Sequence, residues 1–125
     1  MKINVWSSKE EYKEIRKQIL KEVDKVFSSG KFILGSNVKS LESNFSKYLK
    51  LKYGIGVNSG TDAIQIALMS AKIGKGDEVI TVPNTAVPTV SAIVSCGAKP
   101  VFVDINMNDY LIDVSKIEEC IYLIS

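Results

Sequence analysis

The sequence predicts an α/β fold: parallel strands flanked by helices, with amphipathic helices leading in at the N-terminal end. Three observations carry that expectation. Residues 9–27 and 36–49 place apolar side chains at helical spacing with charged and polar residues between them. Tyr53, Ile55 and Val57 then alternate with glycines, which is the period of a strand, and Ile64, Ala67, Leu68 and Ala71 return at once to helical spacing. From there strand and helix alternate three times, which implies a parallel sheet with right-handed crossovers and helices on both faces. The organisation expected is an N-terminal helical segment over residues 1–52 and an α/β domain over residues 53–125.

Taken in order, the first helix carries Tyr12, Ile15, Ile19, Val23, Val26 and Phe27 on one face and ends at Ser28-Ser29-Gly30. Ser7 or Ser8 is placed to cap it, and Glu10 and Glu11 complement its dipole. After the apolar connection Lys31–Gly35, a second helix from about Ser36 to Leu49 carries Val38, Leu41, Phe45, Tyr48 and Leu49 on its apolar face. Residues 53–57 form the first strand, and a helix opens after Gly60. Gly74-Lys75-Gly76-Asp77 is a tight turn whose glycines supply positive φ. Glu78–Val82 is the second strand, stopped by Pro83. A short helix begins near Pro88 and ends at Gly97. Val101-Phe102-Val103 is a third strand, apolar throughout as expected of one buried on both faces. Asp104–Asp113 is an acidic loop, and Ser115 with Glu118 makes a capping box for a last helix.

Composition narrows the function. With 125 residues, 46% apolar and 24% charged, the chain has the make-up of a soluble globular domain. A net charge of +2, spread without blocks, argues for neither nucleic acid nor an anionic membrane surface. No apolar run reaches the roughly 20 residues of a membrane helix, and Met1–Tyr12 is too polar for a signal peptide. Cys96 and Cys120 read as small buried apolar side chains in a reducing, cytoplasmic setting. The absence of histidine removes Ser-His-Asp and Cys-His catalysis and the commonest metal ligand.

Parallel α/β sheets bind ligands beyond the carboxyl ends of their strands, so the site is expected among Asn58–Asp62, Pro83–Thr89 and Asp104–Asn108. The small-residue turn Asn58-Ser59-Gly60-Thr61 opens a helix, where unpaired N–H groups and the dipole favour an anion. It is too short to wrap a pyrophosphate, its glycines miss the dinucleotide spacing, and no P-loop is present. A single phosphate monoester fits. Ser59-Gly60-Thr61-Asp62 is equally readable as a plain helix start with a capping box, and the residues alone leave both readings open. For the phosphate reading, the Asp62 carboxylate has to turn away while its N–H stays available. The loop 83–89, with two prolines and two threonines, is a rigid polar cover for a flat ligand. Asp104 reads first as a structural cap.

Four ordered segments carry a resemblance. They are S-S-G-K-F-I-L-G followed by V-x-x-L-E-x-x-F, then V-N-S-G-T-D-A-I, then G-D-E-V-I-T-V-P-N-T-A-V-P-T, then G-A-K-P-V-F-V-D-I. Together they resemble the amino-terminal part of the DegT/DnrJ-type sugar aminotransferases, fold type I enzymes that use pyridoxal 5′-phosphate, over the chain up to about Ile121. The resemblance implies a partial transferase large domain in which Gly60, Thr61 and Asp62, the last by its N–H, hold the cofactor phosphate. It places Ala86 where the family usually stacks an aromatic on the pyridine ring, so a ring contact is missing here. It sets Phe32–Gly35 where members contact the nucleotide-sugar or a partner subunit.

The family's Schiff-base lysine and its pyridine-pairing aspartate fall downstream, and none of the sixteen Lys and Arg residues matches either position. No catalytic residue is therefore expected in this chain. Residues 120–125 depart from the family, which suggests a truncated, split or frame-shifted reading frame, inactive alone and folding poorly. The full enzyme would pass an amino group, from glutamate, to a nucleotide-linked keto sugar, as a homodimer in the cytoplasm. The competing expectations are a non-catalytic family fragment or regulatory protein that binds a phosphorylated ligand, and an unrelated small α/β domain.

Overall fold

The computed structural model of the chain describes residues 7–122. The chain divides into two compact units, residues 1–56 and 57–125.

In the first unit, helix α1 spans Lys9–Ser29 and helix α2 spans Ser36–Tyr48. The Ser7 hydroxyl accepts from the Lys9 N–H at 3.3 Å, so the capping oxygen is Ser7's, while Ser8 holds the N-cap position without a side-chain bond. At the other end Gly30 takes φ 65° and donates its N–H to the Phe27 carbonyl at 3.1 Å, a left-handed stop that glycine adopts without a Cβ penalty. The apolar face of α1 is open. Tyr12, Ile15, Ile19 and Val23 stay 37–44% exposed, because no element among the described residues packs extensively against α1. On α2, Leu41, Phe45 and Tyr48 are likewise exposed, and the buried member is Ser46, whose hydroxyl donates to the Ser43 carbonyl at 3.1 Å.

The strand expected at 53–57 does not form. A strand requires a neighbouring chain to complete its ladder. Here the Gly56 N–H goes instead to Glu42 Oε1 on α2, at 2.8 Å. The backbone lies so close to α2 that a Cβ on Gly54 would stand 2.7 Å from the Glu42 carbonyl oxygen. The alternating glycines therefore mark a close approach of backbone to helix.

The second unit holds the sheet. Helix α3 (Gly60–Ser70) is followed by strand β1 (Glu78–Thr81), helix α4 (Val87–Ser95) and strand β2 (Lys99–Phe102). β1 and β2 pair in parallel with Glu78 opposite Lys99 and Thr81 opposite Phe102. The described sheet thus has two strands, since the residue 53–57 segment is unpaired. In the turn before β1, Gly76 takes φ 97° whereas Gly74 does not take positive φ; its N–H donates to Asp77 Oδ2 at 2.8 Å. Pro88 sits in the first turn of α4, where its missing N–H has no partner to lose. α4 packs on α3 and on β2, and the core is Ala92, Ile93, Ala98 and Val103. Cys96 and Cys120 are half-buried free thiols, a correction to the fully buried reading; Cys96 Sγ lies 3.6 Å from the Gln65 carbonyl.

Beyond β2, Ile105 and Ile112 form an antiparallel bridge that closes residues 104–113. A 3₁₀ turn (Val114–Lys116) then leads into α5 (Ile117–Tyr122). The capping residue is Asp113, not Ser115. Its Oδ1 accepts from the Ser115 hydroxyl at 2.6 Å and from the Ser115 N–H at 3.1 Å. The hydroxyl bond, the largest influence, holds the Asp113 carboxyl below its ordinary 3.8; partial desolvation opposes it, and the Ser115 N–H and Lys116 add to the lowering.

Candidate functional site

Ser59, in extended backbone (φ −153°, ψ 165°), is the N-cap of α3. Of the first four N–H groups of the helix, two are satisfied locally. The Asp62 N–H donates to Ser59 Oγ at 3.1 Å and the Ala63 N–H to the Ser59 carbonyl at 3.0 Å. Those of Gly60 and Thr61 have no acceptor among the described residues, and neither has the Thr61 hydroxyl a partner there. Gly60 does not take positive φ, and a Cβ on it would meet nothing within 4 Å. The fold does not require glycine there. The glycine leaves open space in front of two free donors, at the positive end of an eleven-residue helix. That space and donor set fit a phosphate group.

The Asp62 carboxylate has not turned away. Its Oδ2 accepts from the Ser59 hydroxyl at 2.9 Å, so Ser59 and Asp62 clasp one another across the first turn. Ser59 is the cap that the S-x-x-D spacing signals, and it engages the same N–H that the resemblance assigns to the phosphate.

Ala86 is exposed and holds the N-cap of α4 in extended backbone, with no side-chain capping bond. The loop before it is rigid for local reasons. The Thr85 N–H donates to the Pro83 carbonyl at 3.0 Å, the Thr89 N–H to the Ala86 carbonyl at 3.0 Å, and the Thr85 and Thr89 hydroxyls share a 2.9 Å hydrogen bond. Because α3 and α4 pack on each other, Gly60–Asp62 and Ala86 belong to the openings of two packed helices. Asp104 is structural: Oδ1 accepts from the Ile105 N–H at 2.8 Å and Oδ2 lies 3.7 Å from Lys116 Nζ. The best-formed apolar cavity, about 200 Å³ between Leu41, Phe45 and Ile55, lies within the first unit and shares no residue with the turn. Among the described residues no cluster of acidic or thiol side chains could hold a metal ion.

The model of the DegT/DnrJ/EryC1/StrS aminotransferase family matches residues 13–123. The chain belongs to that family. It is 46% identical over 117 residues to a dTDP-3-amino-3,4,6-trideoxy-alpha-D-glucose transaminase of Micromonospora megalomicea, covering 94% of this chain and 31% of the relative. It is 41% identical to a pleiotropic regulatory protein of Geobacillus stearothermophilus, over 97% of this chain and 32% of the relative. Among solved structures, NtdA of Bacillus subtilis with bound cofactor PMP superposes with a TM-score of 0.82 at 39% identity, over 85% of this chain and 24% of that one. This DegT/DnrJ-family chain therefore spans about a third of the length of the curated relatives it matches. The likeness extends to the fold of pyridoxal phosphate-dependent aminotransferases, of which this chain is a partial domain.

Proposed function

We propose that this chain is the N-terminal, phosphate-holding part of a pyridoxal 5′-phosphate-dependent aminotransferase acting on a nucleotide-linked keto sugar. The observation that carries the reading is the open end of α3, with unaccepted N–H groups on Gly60 and Thr61, a free Thr61 hydroxyl and room before Gly60. Membership of the aminotransferase family supports pyridoxal 5′-phosphate as the ligand of that end. When bound, pyridoxal 5′-phosphate supplies an aldehyde and an electron sink for amino transfer. Residues of this chain do the holding. Gly60 and Thr61 donate N–H groups to the phosphate, the Thr61 hydroxyl adds a third donor, and the Asp62 N–H becomes a fourth once Ser59 releases it. Ala86, with its small side chain, leaves one face of the ring pocket to be covered by other groups. In this reading residues 53–125 form the cofactor-binding part and residues 1–52 a helical lead-in. The whole enzyme takes an amino-acid donor and works as a cytoplasmic homodimer. No described helix is long and apolar enough to cross a membrane.

Titrating the chain with pyridoxal 5′-phosphate tests the reading through the cofactor's absorbance and its displacement by inorganic phosphate. Thr61→Val is expected to weaken binding by about 1–2 kcal/mol, the scale of a hydrogen bond to a charged group. Unchanged affinity in the valine variant removes Thr61 from the cradle.

A second reading has its own support in the 41% identity to a pleiotropic regulatory protein. In that reading the same turn binds a phosphorylated ligand without chemistry. Borohydride separates the two in the whole protein. Covalent capture of the cofactor supports the enzyme, and phosphate-competed binding that borohydride never fixes supports the regulator.

A further inference from the structure

We propose that the polar cavity of about 300 Å³ between α2 and residues 52–54 is an anion site, in which Lys39 and Lys52 take a phosphate group. The cavity lies within the first unit and shares no residue with the Gly60–Asp62 turn. Lys39, Ser43 and Ser46 line it from α2, at the spacing of four and three residues that puts side chains on one helix face. Lys52, Tyr53 and Gly54 line it from the chain that follows.

Its chemistry suits an anion. No carboxylate among the described residues pairs with Lys39 or Lys52, whereas Lys13, Lys25, Lys99 and Lys116 each have one. The Lys52 ammonium sits over the Tyr53 ring, 5.1 Å from its centroid, a contact that positions the charge without neutralising it. The N–H groups of Tyr53 and Gly54 have no acceptor among the described residues, and the Ser43 hydroxyl has no partner there. The carboxylate on the wall, Glu42, is already engaged, its Oε1 accepting from the Gly56 N–H at 2.8 Å. Two ammonium groups match a phosphate monoester, which carries about −1.5 to −2 charges at pH 7. The wider field works the same way. Residues 7–56 carry eleven Lys and Arg against six Asp and Glu, while residues 57–122 carry four against eight, so anions are drawn to the first unit.

The experiment follows backbone amide resonances of the isotope-labelled 125-residue chain during titration with inorganic phosphate, at constant ionic strength and with chloride as the comparison anion. Ser43, Tyr53 and Gly54 are expected to shift along a saturable curve with phosphate and at least about threefold less with chloride. Lys39→Gln combined with Lys52→Gln is expected to weaken that response by about tenfold or more and to leave any response at Gly60 and Thr61 unchanged. Should the double variant lose helix content by circular dichroism, the single variants decide, each expected to weaken the response about three- to fivefold. Ribose 5-phosphate in a parallel titration separates the sources: tighter binding than inorganic phosphate assigns the site to a phosphorylated metabolite, and equal binding to the free ion. Equal responses to chloride and phosphate overturn the site, because diffuse lysine charge then accounts for them. A full response in the glutamine variants also overturns it. Shifts confined to Gly60 and Thr61 overturn this site and leave the turn standing, whereas shifts confined to Ser43, Tyr53 and Gly54 support this site and count against the turn.

Discussion

Two glycines six residues apart do opposite work, and the contrast is measurable. A methyl on Gly54 would stand 2.7 Å from the Glu42 carbonyl oxygen, a backbone atom that cannot swing aside. A methyl on Gly60 would enter open space. Gly54→Ala is therefore expected to destabilise the chain by about 1–3 kcal/mol, the usual range for overpacking. Gly60→Ala is expected to leave stability within about 0.5 kcal/mol while reducing pyridoxal 5′-phosphate affinity, since its methyl occupies the space the phosphate needs. Denaturant unfolding and cofactor titration on the same two proteins check both halves; equal effects of the two substitutions on either readout refute the contrast. At this scale the sequence was only partly legible. The S-x-x-D cap could be read because its partners are three residues apart. The Glu42–Gly56 bond could not, because it joins a helix side chain to a backbone group fourteen residues away, a contact that no local period encodes.

Elements were legible where their stabilisation is local. Both long helices, the helix opening at Gly60 and the strand after Asp77 stand within two residues of where spacing and caps set them. The miss at residues 53–57 has a physical cause. Alternation shows that a segment can face two ways, but a strand exists only with a partner, and none is present among the described residues. The β2 boundary shifted for a related reason. Lys99 and Val103 donate to the Asp77 and Thr81 carbonyls, each at 2.9 Å. By two-residue alternation Pro100 therefore faces away from β1, where its missing N–H costs no ladder bond, and the strand begins before the proline. The start of the last helix was displaced from Ser115 to Asp113 because a carboxylate accepts two bonds there from the residue expected to be the cap. That cap has a pH signature. The folded state holds the Asp113 carboxyl below 3.8, so its stabilisation is complete above that value and is lost as pH falls through the lower folded-state value. Amide exchange at Ser115 followed through the acid range should accelerate there in the wild type. Asp113→Asn should exchange faster already at neutral pH and lose the titration step; a step that persists in the variant assigns it to another group.

At the scale of the molecule, the described residues bury little apolar surface. The buried apolar residues among those described are Ala92, Ile93, Ala98 and Val103, two of them alanines. Meanwhile Phe27, Phe32, Ile33 and Leu34 are 61–85% exposed. Apolar surface contributes about 25 cal/mol per Å² once removed from water, so such faces favour any contact that covers them. The sequence pointed to these residues as apolar faces, because periodicity reports which side of a helix is apolar and not what covers it. Two consequences follow for the isolated 125-residue chain. It should bind a hydrophobic dye in native buffer and unfold in denaturant with a shallow slope, since that slope tracks the surface newly exposed. It should also self-associate as concentration rises, and Ile19→Glu with Val23→Lys, which place opposite charges on the exposed α1 face, should reduce that association without lowering helix content. Sedimentation velocity and circular dichroism on the wild-type and doubly substituted chains give the answer. A wild-type chain that stays monomeric, excludes dye and unfolds steeply would show that these faces are covered in solution.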